Sequence, residues 1–164
     1  MVKISDKVVY RNDICKILSI DKKYKDNEDY LVLSSSQDST LIIRVPLSVA
    51  DENIRPLMSK KDINQLIKKI PGIPTIPMET WNRGVEYKEL LSDGSHESII
   101  SVIKTSHLRQ QAKTDKKQKV NEIDKIYFRQ AEQRLYREIA AVLNISYEAA
   151  KKHIVDSVAA LSED

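Results

Sequence analysis

Hydrophobic residues recur in two rhythms along this chain, and the rhythm changes near position 58. Before that point the apolar residues come in short, β-branched runs. These are Lys7-Val8-Val9-Tyr10, Ile14-Cys15-Lys16-Ile17-Leu18-Ser19-Ile20, Tyr30-Leu31-Val32-Leu33 and Thr40-Leu41-Ile42-Ile43-Arg44-Val45-Pro46. Runs of roughly four to eight such residues, bounded by turn formers, predict strands. Asn12-Asp13 can adopt positive φ and predicts a tight hairpin between the first two runs. The polar stretch Asp21 to Asp29 predicts a longer connection, and Ile54-Arg55-Pro56-Leu57 is a candidate closing strand. Five short strands in so few residues predict a small, strongly bent barrel.

After position 58 the spacing becomes helical. Ser59 is a candidate N-cap ahead of Ile63, Leu66, Ile67 and Ile70, which lie on one helical face. Pro71 predicts where that helix stops. The connection Pro71-Gly72-Ile73-Pro74-Thr75-Ile76-Pro77 is proline-broken and stiff. A helix is predicted from about Thr80 to Leu91, ending near Asp93-Gly94, where glycine takes a left-handed cap. Ser95 caps the next helix, with Ile99, Val102 and Ile103 inward. Asn121 followed by Asp124 resembles a capping box, opening a long helix with Ile123, Tyr127, Ala131, Leu135, Ile139 and Val142 on its apolar side. Ser146 caps a last helix that buries Ile154, Val158 and Leu161. The fold class expected is therefore α+β in two domains. Residues 1–58 form the barrel, 59–78 a helix and Pro-rich linker, and 79–164 an all-α helical bundle.

Composition narrows the class. The chain has 164 residues, 41% of them hydrophobic but only 5% aromatic, so its core is mostly Ile, Leu and Val. Its single cysteine excludes an internal disulfide framework and fits a reducing cytoplasm. No apolar run approaches a membrane span, and Met1 to Lys7 carries no apolar signal region. A cytoplasmic protein is expected. Catalytic chemistry is not announced. His96, His107 and His153 are scattered without metal-ligand spacing. Cys15 lies in an apolar strand run as an inert thiol, and three glycines are too few for a phosphate cradle. A non-enzymatic protein with no metal and no cofactor is expected.

The net charge of +3 does not by itself show nucleic-acid binding. Between Lys104 and Lys119, six basic residues (Lys104, Arg109, Lys113, Lys116, Lys117, Lys119) face only Asp115, which reads as a solvated surface or as a phosphate-facing patch. Glu138 to Ile154 reads in two ways. It is either a helix-turn-helix, with Asn144 at the turn and Lys151, Lys152 and His153 on a recognition helix, or a pair of packing helices. The only tryptophan, Trp81, follows the stiff linker beside Arg83, and is either a core anchor or a wedge that a partner meets first.

The chain resembles the CarD/CdnL family of bacterial RNA polymerase-binding transcription regulators, and its N-terminal part is similar to the polymerase-interacting domain of transcription-repair coupling factor. The resemblance rests on Asp6-Lys7-Val8-Val9-Tyr10, Lys16-Ile17, Asp29-Tyr30-Leu31-Val32-Leu33, Leu41-Ile42-Ile43-Arg44-Val45-Pro46 and Ile54-Arg55-Pro56. It continues through Trp81-Asn82-Arg83 and Glu89-Leu90-Leu91-Ser92 before Asp93-Gly94. It implies a Tudor-like, SH3-like barrel docked on the RNA polymerase β subunit, with Arg44 and Lys23 at that interface. It also implies a helical domain on promoter DNA at the upstream edge of the bubble. There Trp81 would wedge into the minor groove, Arg83 would contact DNA beside it, and Lys88 on the same helix would hold phosphate. The expected function is stabilisation of the open promoter complex; the alternative is an autonomous helix-turn-helix regulator. An exposed barrel edge leaves both a monomer and a strand-exchanged dimer open. Two departures stand out. The turn at Arg11-Asn12-Asp13 is shorter than the family's and lacks glycine, and Glu86 stands where the family is often basic.

Overall fold

The structure is a computed structural model that describes residues 3–77 and 82–161. The chain divides into two compact units, Met1–Met58 and Ser59–Asp164. It is an α+β protein: a five-stranded antiparallel sheet precedes the helices.

In the first unit, β1 (Lys7–Tyr10), β2 (Asp13–Lys25), β3 (Glu28–Ser35), β4 (Ile42–Pro46) and β5 (Ile54–Pro56) lie in the order β4-β3-β2-β1-β5. A 3-10 turn at Leu47–Val49 and the short helix α1 (Ala50–Asn53) connect β4 to β5. One face of the sheet buries Val8, Cys15, Ile17, Leu31, Leu33 and Val45 with Ala50 and Ile54, so the β-branched runs supply the core as their alternation implied.

The closed barrel expected from the sequence does not form. Among the described residues the two end strands, β4 and β5, each pair on one side only, and closure requires the edges of a sheet to meet. The first hairpin is tighter than expected. Arg11 and Asn12, at φ 47° and 67°, make its two-residue loop, and Asp13 already pairs with Tyr10. Two positive φ values are the mark of the type I′ turn, whose twist matches the flanking strands. The stretch Asp21 to Asp29 is not a loop either. Strand β2 continues through it to Lys25, and Asp26-Asn27 (φ 53° and 59°) turns the chain into β3.

The second unit begins at α2 (Lys60–Lys69). Ser59 Oγ accepts from the Asp62 N–H at 3.0 Å and the Asp62 carboxylate accepts from the Ser59 N–H at 3.0 Å, a reciprocal capping box. Ile63, Leu66 and Ile67 are its buried face. A 3-10 turn at Ile70–Gly72 ends it. Then follow α3 (Arg83–Ser92), α4 (His96–Asp115), α5 (Glu122–Leu143) and α6 (Tyr147–Leu161). Gly94 takes φ 71° after α3, and Ser95 and Ser146 cap α4 and α6 through Ser98 and Ala149.

Ile99, Val102, Ala131, Leu135, Ile139 and Ile154 are buried as their spacing requires. Ile123 and Leu161 are not. They occupy the first turn of α5 and the last described turn of α6, where a helix face runs past the body it packs on. The capping box expected at Asn121 is only half present: Asn121 Oδ1 caps the Ile123 N–H at 2.8 Å, while Asp124 turns into the interior.

Candidate functional site

Within the strand unit the sequence-predicted contact residues are Arg44 and Lys23. Arg44 sits on edge strand β4 opposite Val32. Its Nε donates to Asp21 Oδ2 at 3.1 Å, and its guanidinium lies 4.7 Å from the centre of the Tyr24 ring, which meets Tyr30 edge-on. Asp21 and Tyr24 are three positions apart, so a regular strand would send them to opposite faces. Strand β2 loses its register with β3 between Asp21 and Lys25, and Lys23 takes φ 47° there. This bulge brings both side chains to Arg44. Lys23 is exposed, and its N–H donates to Asp29 at 3.0 Å. That bond, ahead of the Lys22 ammonium, holds the Asp29 carboxyl below its usual pKa.

A half-exposed ion pair contributes roughly 0.2–1 kcal/mol. The value of Asp21 and Tyr24 is therefore geometric: they fix the arginine plane while Nη1 and Nη2 keep no partner among the described residues. Those nitrogens are set to receive a carboxylate or a carbonyl.

Within the helical unit, Trp81 lies outside the described residues, as do Met78, Glu79 and Thr80. The elements on either side are described in detail. Asn82 caps α3 through the Val85 N–H at 3.2 Å. Arg83 and Lys88 are five residues apart, hence about 140° around the helix, and they part company. Lys88 is exposed, whereas Arg83 Nη1 donates to Asp124 Oδ2 at 2.6 Å with its side chain 25% exposed. Asp124 is fully buried, and its other oxygen accepts from Tyr87 Oη at 2.7 Å. Tyr87 Oη accepts in turn from Arg109 Nη1 at 2.9 Å, and Arg109 Nη2 donates to the Pro77 carbonyl at 2.8 Å. Burial first, then the bond to Asp124, pushes the Tyr87 hydroxyl up to about 12, so it stays a donor throughout the neutral range. Glu86 is half-buried on the same helix, with Oε2 shut from solvent.

This network belongs to a larger arrangement. Ser101, Lys104, Thr105 and Arg109 lie at helical spacing along α4, and each grips the Pro-rich linker. Ser101 Oγ donates to the Pro74 carbonyl at 2.8 Å, and Thr105 Oγ1 accepts from the Ile76 N–H at 2.9 Å. Lys104 Nζ reaches the carbonyls of Ile70 and Ile73 at 2.9 and 2.6 Å. Two members of the basic run are thus internal braces, and Arg109 is only 2% exposed. Sequence reasoning missed Tyr87, Asp124 and the bracing role of Lys104 and Arg109. The available signal was a polar stripe at i, i+3, i+4 and i+8 inside a helix otherwise apolar at Ile99, Val102 and Ile103.

At the candidate helix-turn-helix, Asn144 makes the turn at φ 55° and ψ 49°. Lys151 is paired with Glu132 at 2.9 Å and Lys152 with Asp156 at 2.9 Å; His153 is exposed. Among the described residues no group of His, Cys, Asp or Glu is placed to hold a metal ion, and no helix is long and apolar enough to cross a membrane. No protein-family model matches this chain, and no curated protein matches it.

Proposed function

We propose that this protein is a non-enzymatic regulator of transcription initiation that binds the RNA polymerase β subunit through its strand unit. In this reading the sheet is an opened Tudor-like module, and the helical unit contacts promoter DNA at the upstream edge of the bubble. Arg44 carries the reading: its plane is fixed by Asp21 and Tyr24 and its outer nitrogens are open. It also stands on a strand that, among the described residues, pairs on one side only. An edge strand offers unpaired backbone groups to a partner strand, and a fixed arginine beside it selects register and partner. Leu41 and Ile42, 48% and 43% exposed, stand at the start of that edge.

On DNA, an apolar wedge at Trp81 partly unstacks a base step at a cost of roughly a few kcal/mol, and gains contacts that exist only on distorted duplex. A fork that is already melted has met part of that cost, so the wedge favours the open state. A differential of about 1.4 kcal/mol shifts the open-to-closed ratio tenfold. Lys88 is the free phosphate contact on α3, and Arg83 the braced one. The modest net charge of +3 suits a protein that reaches DNA by tethering rather than by its own affinity.

The test is retention by core RNA polymerase, or by an isolated β-subunit lobe. Wild type is retained and Arg44→Glu is lost; failure of the wild type to bind overturns the proposal. Trp81→Ala shortens open-complex lifetime and leaves retention unchanged. Salt-sensitive, sequence-specific binding to free duplex that disappears in Lys151→Ala/Lys152→Ala would favour the autonomous helix-turn-helix instead.

A further inference from the structure

The basic run between Lys104 and Lys119 divides into two parts with different surroundings. Lys104 and Arg109 turn inward as braces of the linker. Lys113, Lys116, Lys117 and Lys119 gather instead where α4 passes into α5. Lys116, Lys117 and Lys119 are exposed, and none of their ammonium groups has a partner among the described residues. Lys113 Nζ reaches only Gln118 Oε1, at 3.5 Å. The nearby carboxylates are occupied: Asp115 accepts from Gln111 at 2.9 Å, and Glu122 lies 3.6 Å from Lys125.

The turn itself is built around a lysine. The Lys117 N–H donates to the Thr114 carbonyl at 3.0 Å and the Gln118 N–H to the Lys113 carbonyl at 2.9 Å, the paired bonds that close a helix with one left-handed residue. That residue is Lys117, at φ 55°. After α3 and α5 the left-handed position falls to Gly94 and Asn144, residue types that adopt it readily. The helix dipole accounts for a cation in the last turn of α4, where Lys113 stands, and fades beyond it. Nor does the turn stand apart from α3. Arg83 is bonded to Asp124, and a Cβ on Gly84 would come 3.8 Å from the Ile123 side chain. The first turn of α3 therefore lies against the first turn of α5, which begins three residues after Lys119.

We infer that Lys116, Lys117 and Lys119 form a second phosphate contact, which grips the duplex backbone beside the start of α3 without reading sequence. The inference rests on the proposed contact of the helical unit with promoter DNA. Duplex carries one negative charge per about 1.7 Å of axis, so free ammonium groups on long stems meet phosphates in many registers. Lysine is a point charge suited to such a backbone, whereas an acidic peptide is better met by the planar fork of arginine. A membrane surface fits less well. From Lys113 to Asn121 the one large apolar residue is Val120, half-buried, so the turn has nothing to insert among acyl chains.

The test uses the full chain and a short fluorescein-labelled duplex of arbitrary sequence. Lys116→Gln/Lys117→Asn/Lys119→Gln removes the charges and leaves at 117 a residue that tolerates left-handed φ. It should weaken binding roughly tenfold or more at low salt, and make the plot of log affinity against log salt shallower by about two, alike on unrelated sequences. Lys60→Gln/Lys61→Gln/Lys68→Gln removes the same charge from exposed positions of α2 and should leave the slope unchanged. In open-complex decay the turn variant should shorten lifetime several-fold, with polymerase retention unchanged. Affinity and slope equal to wild type would overturn the inference, and so would an equal loss in the α2 variant. Tighter binding of wild type to phosphatidylserine-containing vesicles than to duplex, at equal anion concentration, would assign the turn to a membrane and overturn it too. The two ideas fail separately. Weakened duplex binding in Lys88→Gln with an unaffected turn variant leaves the DNA contact standing without the turn. A wild type that polymerase does not retain removes the proposed function, while the salt slope still decides on the turn.

Discussion

Cys15 illustrates how burial decides a residue's chemistry. Its thiol is 1% exposed, and burial first, then the carboxylate of Asp13, pushes its pKa up to about 11. The thiolate is the reactive form. At pH 8 the native protein should therefore alkylate with iodoacetamide roughly a hundredfold more slowly than the urea-unfolded chain, before access is considered. Mass spectrometry of timed samples checks this, and equal rates would contradict the burial. The sign of the linked stability follows. The folded value lies above the ordinary 9.0, so the contribution of Cys15 is complete below about pH 9 and is lost as pH rises through about 11. This residue was legible because an apolar β-branched run surrounds it. Asp124 was not. A carboxylate one turn into a helix looks alike whether it caps, faces water or turns inward. Its partners Arg83 and Tyr87 lie 41 and 37 positions away, beyond any local pattern.

At the scale of elements, the linker shows where local reading stops. Its prolines end α2, with Pro71 in the 3-10 turn that follows, but nothing in them says that α4 holds the linker. Lys104 is a charged brace whose ammonium closes on the carbonyls where α2 and its 3-10 turn run out. The Ile70 carbonyl already accepts from the Ile73 N–H at 3.1 Å, and the ammonium adds a second bond where the helix dipole favours a cation. Lys104→Met keeps the aliphatic stem and removes the charge, so it should lower stability by about 1–3 kcal/mol in urea melts. A change within error would mean that water replaces the ammonium freely. Helix starts were legible at Ser59, Ser95 and Ser146, since a cap acts within three or four residues. The length of β2 was not: its second half is largely polar and exposed, so backbone pairing carries it without an apolar signature. Sheet closure was equally hidden, because it depends on whether the two remote edge strands meet.

At the scale of the whole molecule, the chain divides at Met58 into two compact units. The strand unit has a core of short aliphatic side chains around Leu31 and Leu33, and chains of about 60 residues bury only about 60% of their unfolded surface. Residues 1–58 alone should fold, with dispersed amide NMR signals, but unfold at lower urea concentration than 59–164. If Arg44 and the β4 edge are the tether, 1–58 alone is retained by core polymerase and competes with the full chain. Residues 59–164 alone, lacking that tether, must bind DNA from bulk solution. A short tether supplies an effective concentration in the millimolar range. The helical unit at micromolar concentration should therefore give little of the open-complex lifetime that the full chain gives, and should regain it at roughly a hundred- to thousandfold higher concentration. Full activity of 59–164 at the same concentration as the intact chain would show that the strand unit is no tether, and would favour Lys151 and Lys152 of the alternative reading as DNA contacts.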